Sequence, residues 1–221
     1  TQIVAAMGEK YAYLLLTLTI RNCDPDLLNS TITDMMRGFQ RLQERRRVSK
    51  ATEGTYRALE ITHNLDDDTY HPHFHCLVAV RPGYFKGGRY IPQAEWTQLW
   101  REAMRLDYDP VVDVRRVKGR TAAAIAEVAK YSAKTRDFLI PDDWELTIKS
   151  VQLLDKALHK RRLVAFTGIF REIHRKLHLD DAEDGDLVHL DGQAPERPEN
   201  RVVHYLWYSG YRQYRRINLD A

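Results

Sequence analysis

The sequence predicts an α+β fold: an antiparallel β-sheet of split βαβ (ferredoxin- or RRM-like) order, with helices on one face and a site on the other. Runs rich in β-branched and aromatic residues predict strands, and segments whose apolar residues recur at helical spacing predict helices. Their order is strand, helix, strand, strand, helix, strand, helix. The first six of these elements follow the split βαβ pattern, which leaves one face of the sheet uncovered.

Each element has its own local signal. Four strands are predicted, at 11–22, 54–64, 71–80 and 110–117. Three helices are predicted, at 24–47, 93–106 and 121–134. Asp24 is the predicted N-cap of the first helix, because Pro25 follows it at the first helical position. The turn "LDDDT" joins the second and third strands into a hairpin.

The character of the chain changes after Pro141. We therefore predict a core over 1–137 and a C-terminal helical extension with an aromatic β tail over 138–221, packed on the core as one domain. Segments 144–166 and 169–177 are predicted to be helical and basic. The tail alternates aromatic residues and predicts a hairpin around Ser209-Gly210.

Composition narrows the functional class only modestly. The formal net charge is +3, so charge alone does not argue for a nucleic-acid partner. Cys23 and Cys76 both lie in apolar strand-like runs, which is typical of small buried residues in a reducing compartment. The apolar run 11–20 is too short to cross a bilayer, and no signal peptide or lipidation motif is evident. These features predict a cytoplasmic protein without a membrane partner.

The segment "HFHCLV" (73–78) predicts a metal site. His73 and His75 are two residues apart, so on a strand they share one face. If the hairpin closes near Asp67 and Asp68, Glu60 falls roughly opposite His75 and on that same face. Two imidazoles and a carboxylate would suit Mn²⁺, Mg²⁺ or Zn²⁺. The alternative is that the histidines are ordinary strand residues that make hydrogen bonds.

His71 precedes a proline where the strand begins. It could support the ligands or lie in a solvated turn, and we predict the turn.

The segment "EVAKYSAK" (127–134) predicts a catalytic helix face. Glu127, Tyr131 and Lys134 are spaced by four and then three residues, so they project from one side of a helix. A phenol has an ordinary pKa near 10, and a neighbouring ammonium such as that of Lys134 would favour the phenolate as a nucleophile. The alternative is an exposed helix with an incidental Glu–Tyr–Lys face.

Together these stretches resemble the replication initiators of rolling-circle plasmids, within the HUH endonuclease superfamily. The resemblance covers about residues 11–192 and is carried by four segments: "LLLTLTIRN" (14–22), "HFHCLV" (73–78), "EVAKYSAK" (127–134) and the segment 160–192. The third segment matches the single-tyrosine type with a glutamate one turn before the tyrosine.

The resemblance implies metal-dependent nicking of DNA at a plasmid double-strand origin in the bacterial cytoplasm. It implies Tyr131 as the nucleophile, His73 and His75 as ligands of Mn²⁺ or Mg²⁺, and Glu127 as the residue that activates water in the final release step. Glu60 as third ligand is an inference from the hairpin. The implied partners are origin DNA, single-stranded DNA or a hairpin at the nick site, and a host helicase.

Basic residues suggest where DNA binds. The segment "VRRVKGR" (114–120) leads into the tyrosine helix, so its cations are the better candidates for phosphate contacts: Arg115, Arg116, Lys118 and Arg120. Lys130, on the tyrosine helix, is a further candidate. The clusters 41–47 and 156–163 are typical of solvated faces. The aromatic residues of the loop 81–92 either stack unpaired bases or belong to a flexible surface connection: Tyr84, Phe85 and Tyr90.

Three other functions stay open at this point. A single-tyrosine transposase would use the same residues. A metal-dependent small-molecule hydrolase would use the histidines without Tyr131. A non-enzymatic DNA-binding protein would need neither.

Overall fold

The computed structural model describes residues 10–117, 140 and 143–177, positions 3 and 7, and the backbone of 204–208 and 213–217. Contacts divide the chain into two compact units, Thr1–Asp180 and Asp181–Ala221. The predicted boundary between residues 137 and 138 lies within the first unit and stays a prediction.

The first unit contains a five-stranded sheet in the order β4-β1-β3-β2-β5, and all its neighbouring strands are antiparallel. The strands are β1 (Ala12–Thr19), β2 (Gly54–Asn64), β3 (Thr69–Val80), β4 (Val112–Arg116) and β5 (Val164–Phe166). The predicted α+β fold with an antiparallel sheet is confirmed. The third strand β3 is central and pairs with β1 on one side and β2 on the other.

The helices of this unit are α1 (Leu28–Glu44), α2 (Arg46–Ala51), α3 (Gln93–Met104), α4 (Trp144–Leu158) and α5 (Gly168–Lys176). The α-helix α1 starts after the predicted N-cap, because Pro25–Leu27 form a 3-10 turn and the Asp24 side chain accepts no capping hydrogen bond. Within the described part of the chain, no helix is long and apolar enough to cross a membrane.

Strand alternation separates the two faces of the sheet. Phe74, Cys76 and Val78 of β3 are buried in the main core, which α1 and α3 cover with residues such as Ile32 and Trp100. Helix α4 adds Leu154 and Ala157 to the same core. This is the face that the sequence predicts for the helices.

Helix α5, which belongs to the predicted C-terminal extension, lies on the other face of the sheet. Its Phe170 and Ile173 are buried in a second cluster with Tyr13, Leu77 and Ala79, which belong to the opposite face of the sheet. Helix α5 therefore covers one end of that face. The helical prediction for the end of 144–166 is wrong, because Val164–Phe166 form β5 and pair with Tyr56–Ala58 at the edge of the sheet.

Gly54 allows α5 to approach the sheet closely. A Cβ atom at Gly54 would lie 2.6 Å from the carbonyl oxygen of Thr167 and 2.8 Å from the amide nitrogen of Ile169. The backbone N–H of Thr55 also donates a hydrogen bond to the hydroxyl oxygen of Thr167, at 3.0 Å. The start of α5 is thus fixed against the first residues of β2.

Arg57 is a charged residue inside the main core. Its side chain is only 4% exposed, and its guanidinium carbon lies 4.6 Å from the ring centre of Phe74. The guanidinium donates to the carbonyl oxygen of Arg162 at 3.0 Å and to the sulfur of Met36, and it forms no ion pair with a described residue. Burial lowers the pKa of Arg57.

The second unit contains two antiparallel strands, β6 (His204–Tyr208) and β7 (Gln213–Ile217). His204 pairs with Ile217 at one end of this ladder, and Tyr208 pairs with Gln213 at the other. The hairpin predicted around Ser209-Gly210 is confirmed by this pairing.

Candidate metal centre

The candidate metal centre lies on β2 and β3, two of the three interior strands of the sheet. His73 and His75 point away from the main core, as the alternation predicts, and Glu60 of β2 shares their face. Glu60 pairs with His73, and Ala58 pairs with His75. The expected partner of Glu60 was His75, so the predicted register is wrong by two residues. A two-residue shift keeps every side chain on its face, so the predicted group of three survives.

The Glu60 carboxylate stands between the two imidazoles. Its Oε2 atom lies 3.0 Å from Nε2 of His75 and 3.6 Å from Nε2 of His73. Glu60 and His73 are buried, whereas the His75 side chain is 33% exposed. The centre is therefore anchored in the sheet at Glu60 and His73 and open to solvent at His75.

Hydrogen bonds from the sheet orient both imidazoles. Nδ1 of His73 lies 3.0 Å from the carbonyl oxygen of His71, which can only accept, so Nδ1 donates and Nε2 faces Glu60. Nδ1 of His75 lies 3.3 Å from Oγ1 of Thr17 on β1. Both contacts direct Nε2 toward the carboxylate, which is how supporting partners orient metal-ligating histidines.

The chemistry and spacing of these groups fit a divalent cation. One ligand atom from each of the three residues can be chosen so that all lie within 4.8 Å of one another. Ligands about 2.1 Å from a shared ion lie roughly 3 to 3.5 Å apart, close to the observed separations from Glu60. Imidazole and carboxylate together accept Mn²⁺, Mg²⁺ or Zn²⁺, so the donor set does not select the ion.

The turn predicted for His71 is wrong. His71 lies in β3, opposite Thr62 of β2, and its ring centre is 5.2 Å from that of His73. Burial, with a further effect of the nearby His73, lowers the pKa of His71. His71 thus extends the row of histidines along the site face.

Further polar residues lie beside the centre on the other side of β3. Thr17 pairs with His75 and also with Asp113 of β4, so these three residues form a row across the sheet. Asp113 forms an ion pair with Arg115, with 2.7 Å between Oδ2 of Asp113 and Nε of Arg115. A cavity of about 240 Å³ lies here, lined by Leu15, Leu16, Thr17, His75, Cys76, Asp113 and Arg115.

Sequence reasoning missed Thr17 and Asp113. A signal existed for Thr17: with Thr19 it places hydroxyls at alternate positions of an otherwise apolar strand, and therefore on one face. Asp113 had no comparable signal, because its place beside Thr17 depends on the β1–β4 register.

The structure separates the two described members of the predicted DNA-binding set. Arg115 is exposed on the site face, opposite Leu15. Arg116 lies on the other face, with its guanidinium carbon 4.3 Å from the ring centre of Phe85. Of the aromatic residues proposed to stack bases, Tyr84 is 2% exposed and bonds the amide nitrogen of Ile91 through its hydroxyl, so burial rules out stacking by Tyr84.

Six predicted site residues lie outside the described residues, and their roles stay predictions: Lys118, Arg120, Glu127, Lys130, Tyr131 and Lys134.

The fold and site define a class: an α+β protein with a candidate divalent-metal centre on an open face of an antiparallel sheet. Comparison with known proteins makes this more specific. The model of a family described as "Replication protein" matches residues 1–215. The chain belongs to this family, which confirms its identification as a replication initiator of the rolling-circle plasmid type.

Individual relatives agree. The chain is 45% identical to a "Protein rep" of Bacillus sp, over 94% of this chain and 73% of the relative. It is 42% identical to a "Protein rep" of Bacillus amyloliquefaciens, over 96% of this chain and 68% of the relative. It is 39% identical to a "Replication protein" of Staphylococcus aureus, over 88% of this chain and 86% of the relative. No solved structure matches the chain.

Proposed function

We propose that this replication protein starts plasmid replication by nicking one strand of the double-strand origin in a metal-dependent reaction. The observation that carries the proposal is the convergence of Glu60, His73 and His75 on an open sheet face. Membership of the replication protein family supplies the substrate class, DNA. The exposed guanidinium of Arg115 on the same face gives a phosphate-binding group near the centre.

Nicking is a transesterification. The Tyr131 phenol loses its proton and its oxygen attacks the scissile phosphorus, forming a phosphotyrosine bond while the bond from phosphorus to the 3′ oxygen breaks. The leaving oxygen takes up a proton and becomes the 3′-hydroxyl that primes synthesis. Lys134, three residues after Tyr131 in the sequence, would favour the phenolate. The covalent 5′-phosphotyrosine keeps the ester reactive for strand transfer.

Glu60, His73 and His75 would hold Mn²⁺ or Mg²⁺. A divalent ion there would supply Lewis-acid polarisation of the scissile phosphate. The chain itself holds the ligands in place. Both ligand strands lie inside the sheet, and the two imidazoles on β3 are oriented by Thr17 and by the His71 carbonyl oxygen.

Termination requires a second cleavage, for which Glu127 is proposed as the base. Glu127 lies four residues before Tyr131 in the sequence. On the predicted helix both side chains would reach the same phosphate, so Glu127 would take a proton from water as the water oxygen attacks phosphorus. The bond from that phosphorus to the 3′ oxygen of the displaced strand would break, and the leaving oxygen would take up a proton. The freed 3′-hydroxyl would then attack the Tyr131 phosphotyrosine, which joins the strand, returns the phenol and releases the DNA without a second phosphotyrosine. The substrate is double-strand origin DNA, cut where it is single-stranded or in a hairpin. A host helicase and the bacterial cytoplasm complete the proposed setting.

The decisive experiment incubates the purified protein with supercoiled plasmid that carries its origin, in Mn²⁺ or in EDTA. We expect nicked circles with covalently attached protein in the Mn²⁺ reaction but not in the EDTA reaction. The attachment should map to the peptide that contains Tyr131. Tyr131→Phe should abolish the adduct while Mn²⁺ binding stays normal. An adduct mapping to another tyrosine would refute the assigned nucleophile.

A matched pair of histidine variants tests the metal centre. His75→Ala should lower Mn²⁺ affinity and nicking together, whereas His159→Ala removes an exposed histidine remote in sequence from the centre and should change neither. Calorimetric titration with Mn²⁺ measures binding without DNA. Parental Mn²⁺ affinity in His75→Ala would remove the metal centre from the mechanism.

A further inference from the structure

A second basic surface lies away from the metal centre, between α2 and the loop that follows β3. It surrounds an open groove of about 850 Å³, which we call the basic groove. Five of its ten lining residues are cationic and one is acidic: Arg46, Arg47, Ser49, Lys50, Ala51, Thr52, Glu53, Arg81, Gly88 and Arg89. The formal charge of these lining residues is +4, from five cationic side chains and one carboxylate.

Three of these cations are available to a ligand. Arg46, Lys50 and Arg89 are exposed, and none forms an ion pair with a residue in the described part of the chain. Arg46 and Lys50 are four residues apart on α2 and therefore lie on one side of it. The groove thus holds exposed positive charge that no described carboxylate neutralises.

The remaining cations fix the walls of the groove. Arg47 donates to both carboxylate oxygens of Glu95, at 2.5 and 3.0 Å, and to the carbonyl oxygens of Gly88 (2.9 Å) and Tyr90 (2.5 Å). Arg81 is paired with Glu53 at 2.6 Å. These bonds tie the loop after β3 to α2 and α3, so the groove is a built feature of the fold.

Gly88 leaves the groove open to close approach. A Cβ atom at Gly88 would meet no atom of a described residue within 4 Å, and the φ of Gly88 lies outside the left-handed region that favours glycine. Neither packing nor backbone conformation requires glycine there. A bare backbone is the usual choice where a ligand approaches the chain closely.

We propose that the basic groove binds the phosphate backbone of duplex DNA beside the nick site. Clustered, unneutralised arginine and lysine side chains are the groups that bind nucleic-acid phosphates. The described lining residues include no aromatic side chain, whereas single-strand binding relies on aromatic stacking. This favours duplex DNA as the occupant. The inference rests on the proposed function only in that the chain acts on DNA.

The distance from the metal centre sets the scale of the contact. His75 and Arg81 are joined by the end of β3, and a strand rises about 3.3 Å per residue, so the groove lies roughly 20 Å from the ligands. That length corresponds to about six base pairs of B-DNA. A duplex held in the groove would therefore be gripped about half a helical turn from the phosphate being cut.

The test measures binding of the full chain to a fluorescein-labelled duplex of thirty base pairs and arbitrary sequence, since backbone contacts do not depend on sequence. The groove variant is Arg46→Ala/Lys50→Ala/Arg89→Ala. The control variant is Arg105→Ala/Lys156→Ala/Lys160→Ala, which removes the same charge from exposed positions outside the groove. Anisotropy is recorded between 50 and 300 mM salt.

Each lost phosphate contact reduces the slope of log affinity against log salt by about 0.9, so the groove variant should lose up to about 2.7 from its slope. The slope of the control variant should differ from the parental slope by no more than about 0.9, the value for one phosphate contact. Equal slopes for the two variants would overturn the proposal. So would a groove variant that loses affinity only for the single strand of the same sequence.

Calorimetric Mn²⁺ titration should give parental affinity in both variants, which shows that the sheet and its centre are intact. The two proposals fail separately. A parental chain without a Mn²⁺-dependent adduct would refute the nicking mechanism, but the duplex-binding comparison needs no nicking and would stand.

Discussion

Thr17→Val should weaken Mn²⁺ binding although Thr17 is not a proposed ligand. When Nε2 of His75 binds an ion, its proton lies on Nδ1, and Nδ1 then donates to Oγ1 of Thr17, 3.3 Å away. Valine keeps the shape and the β-branching of threonine, so β1 should form as before. The substitution removes only the acceptor that holds the His75 ring.

The size of the effect follows from the geometry. Loss of a partner that orients a metal-ligating histidine typically costs about 10- to 100-fold in metal affinity. The Thr17–His75 contact is at the long end of the hydrogen-bond range, and His75 is partly exposed, so water can replace the hydroxyl. We therefore expect the lower end, about 10-fold or ~1.4 kcal/mol.

Thr19→Val is the matched control. Thr19 lies two residues further along the same face of β1 and opposite His73, but its hydroxyl donates to the carbonyl oxygen of Val111 at 2.7 Å. Its loss should cost about 1 kcal/mol of folding free energy and leave Mn²⁺ affinity unchanged.

Calorimetric titration with Mn²⁺ and urea unfolding of the three proteins separate these effects. The reasoning is refuted if Thr17→Val binds Mn²⁺ within about threefold of the parent, or if Thr19→Val loses as much affinity as Thr17→Val.

Three further predictions concern other parts of the chain. Glu127→Gln should still nick and form the Tyr131 adduct but terminate about 100- to 10,000-fold more slowly, scored by excision of a small circle from a plasmid with two tandem origins; parental termination would exclude Glu127 as the base. Arg57→Met should leave the free energy of unfolding equal or raise it by about 1–4 kcal/mol, because it removes a buried charge that has no ion pair with a described residue, whereas Arg57→Ala should lower it by about 2–5 kcal/mol through a cavity. Urea unfolding measures both, and a destabilised Arg57→Met would contradict the argument. Gly54→Ala should lower the free energy of unfolding by about 1–3 kcal/mol, since its Cβ would collide with the Thr167 carbonyl oxygen; unchanged thermal unfolding would show that α5 can move away.

Local patterns were sufficient for four of the five strands of the sheet, and for the faces on which the side chains of β3 lie. Alternation in "HPHFHCLVAV" correctly assigns the faces of β3, because adjacent strand residues point to opposite sides whatever the partner strand is. It does not fix register. Asn64 pairs with Thr69, so the turn is centred earlier than expected, and Glu60 moves from His75 to His73.

Long-range packing was beyond local patterns. The turn predicted for His71 rested on Pro72, but β1 ends opposite His73, so Pro72 lies where β3 pairs only with β2 and the missing N–H is tolerated. Residues Val164–Phe166 become a strand because the edge of β2 is available to them. The place of α5 depends on which apolar face it meets, and periodicity cannot specify this.

The interior position of the proposed ligand strands would couple metal binding to folding. Because β3 is paired on both sides and carries two of the three proposed ligands, the centre cannot open without breaking the middle of the sheet. Opening of the centre would then require global unfolding of the sheet. A bound ion would therefore add its binding free energy to the free energy of unfolding of the whole first unit. At an ion concentration one hundred times the dissociation constant this amounts to about 2.7 kcal/mol, or roughly 5–10 °C in Tm for a chain of this size. The supply of metal would thus set how long the initiator persists as well as whether it cuts.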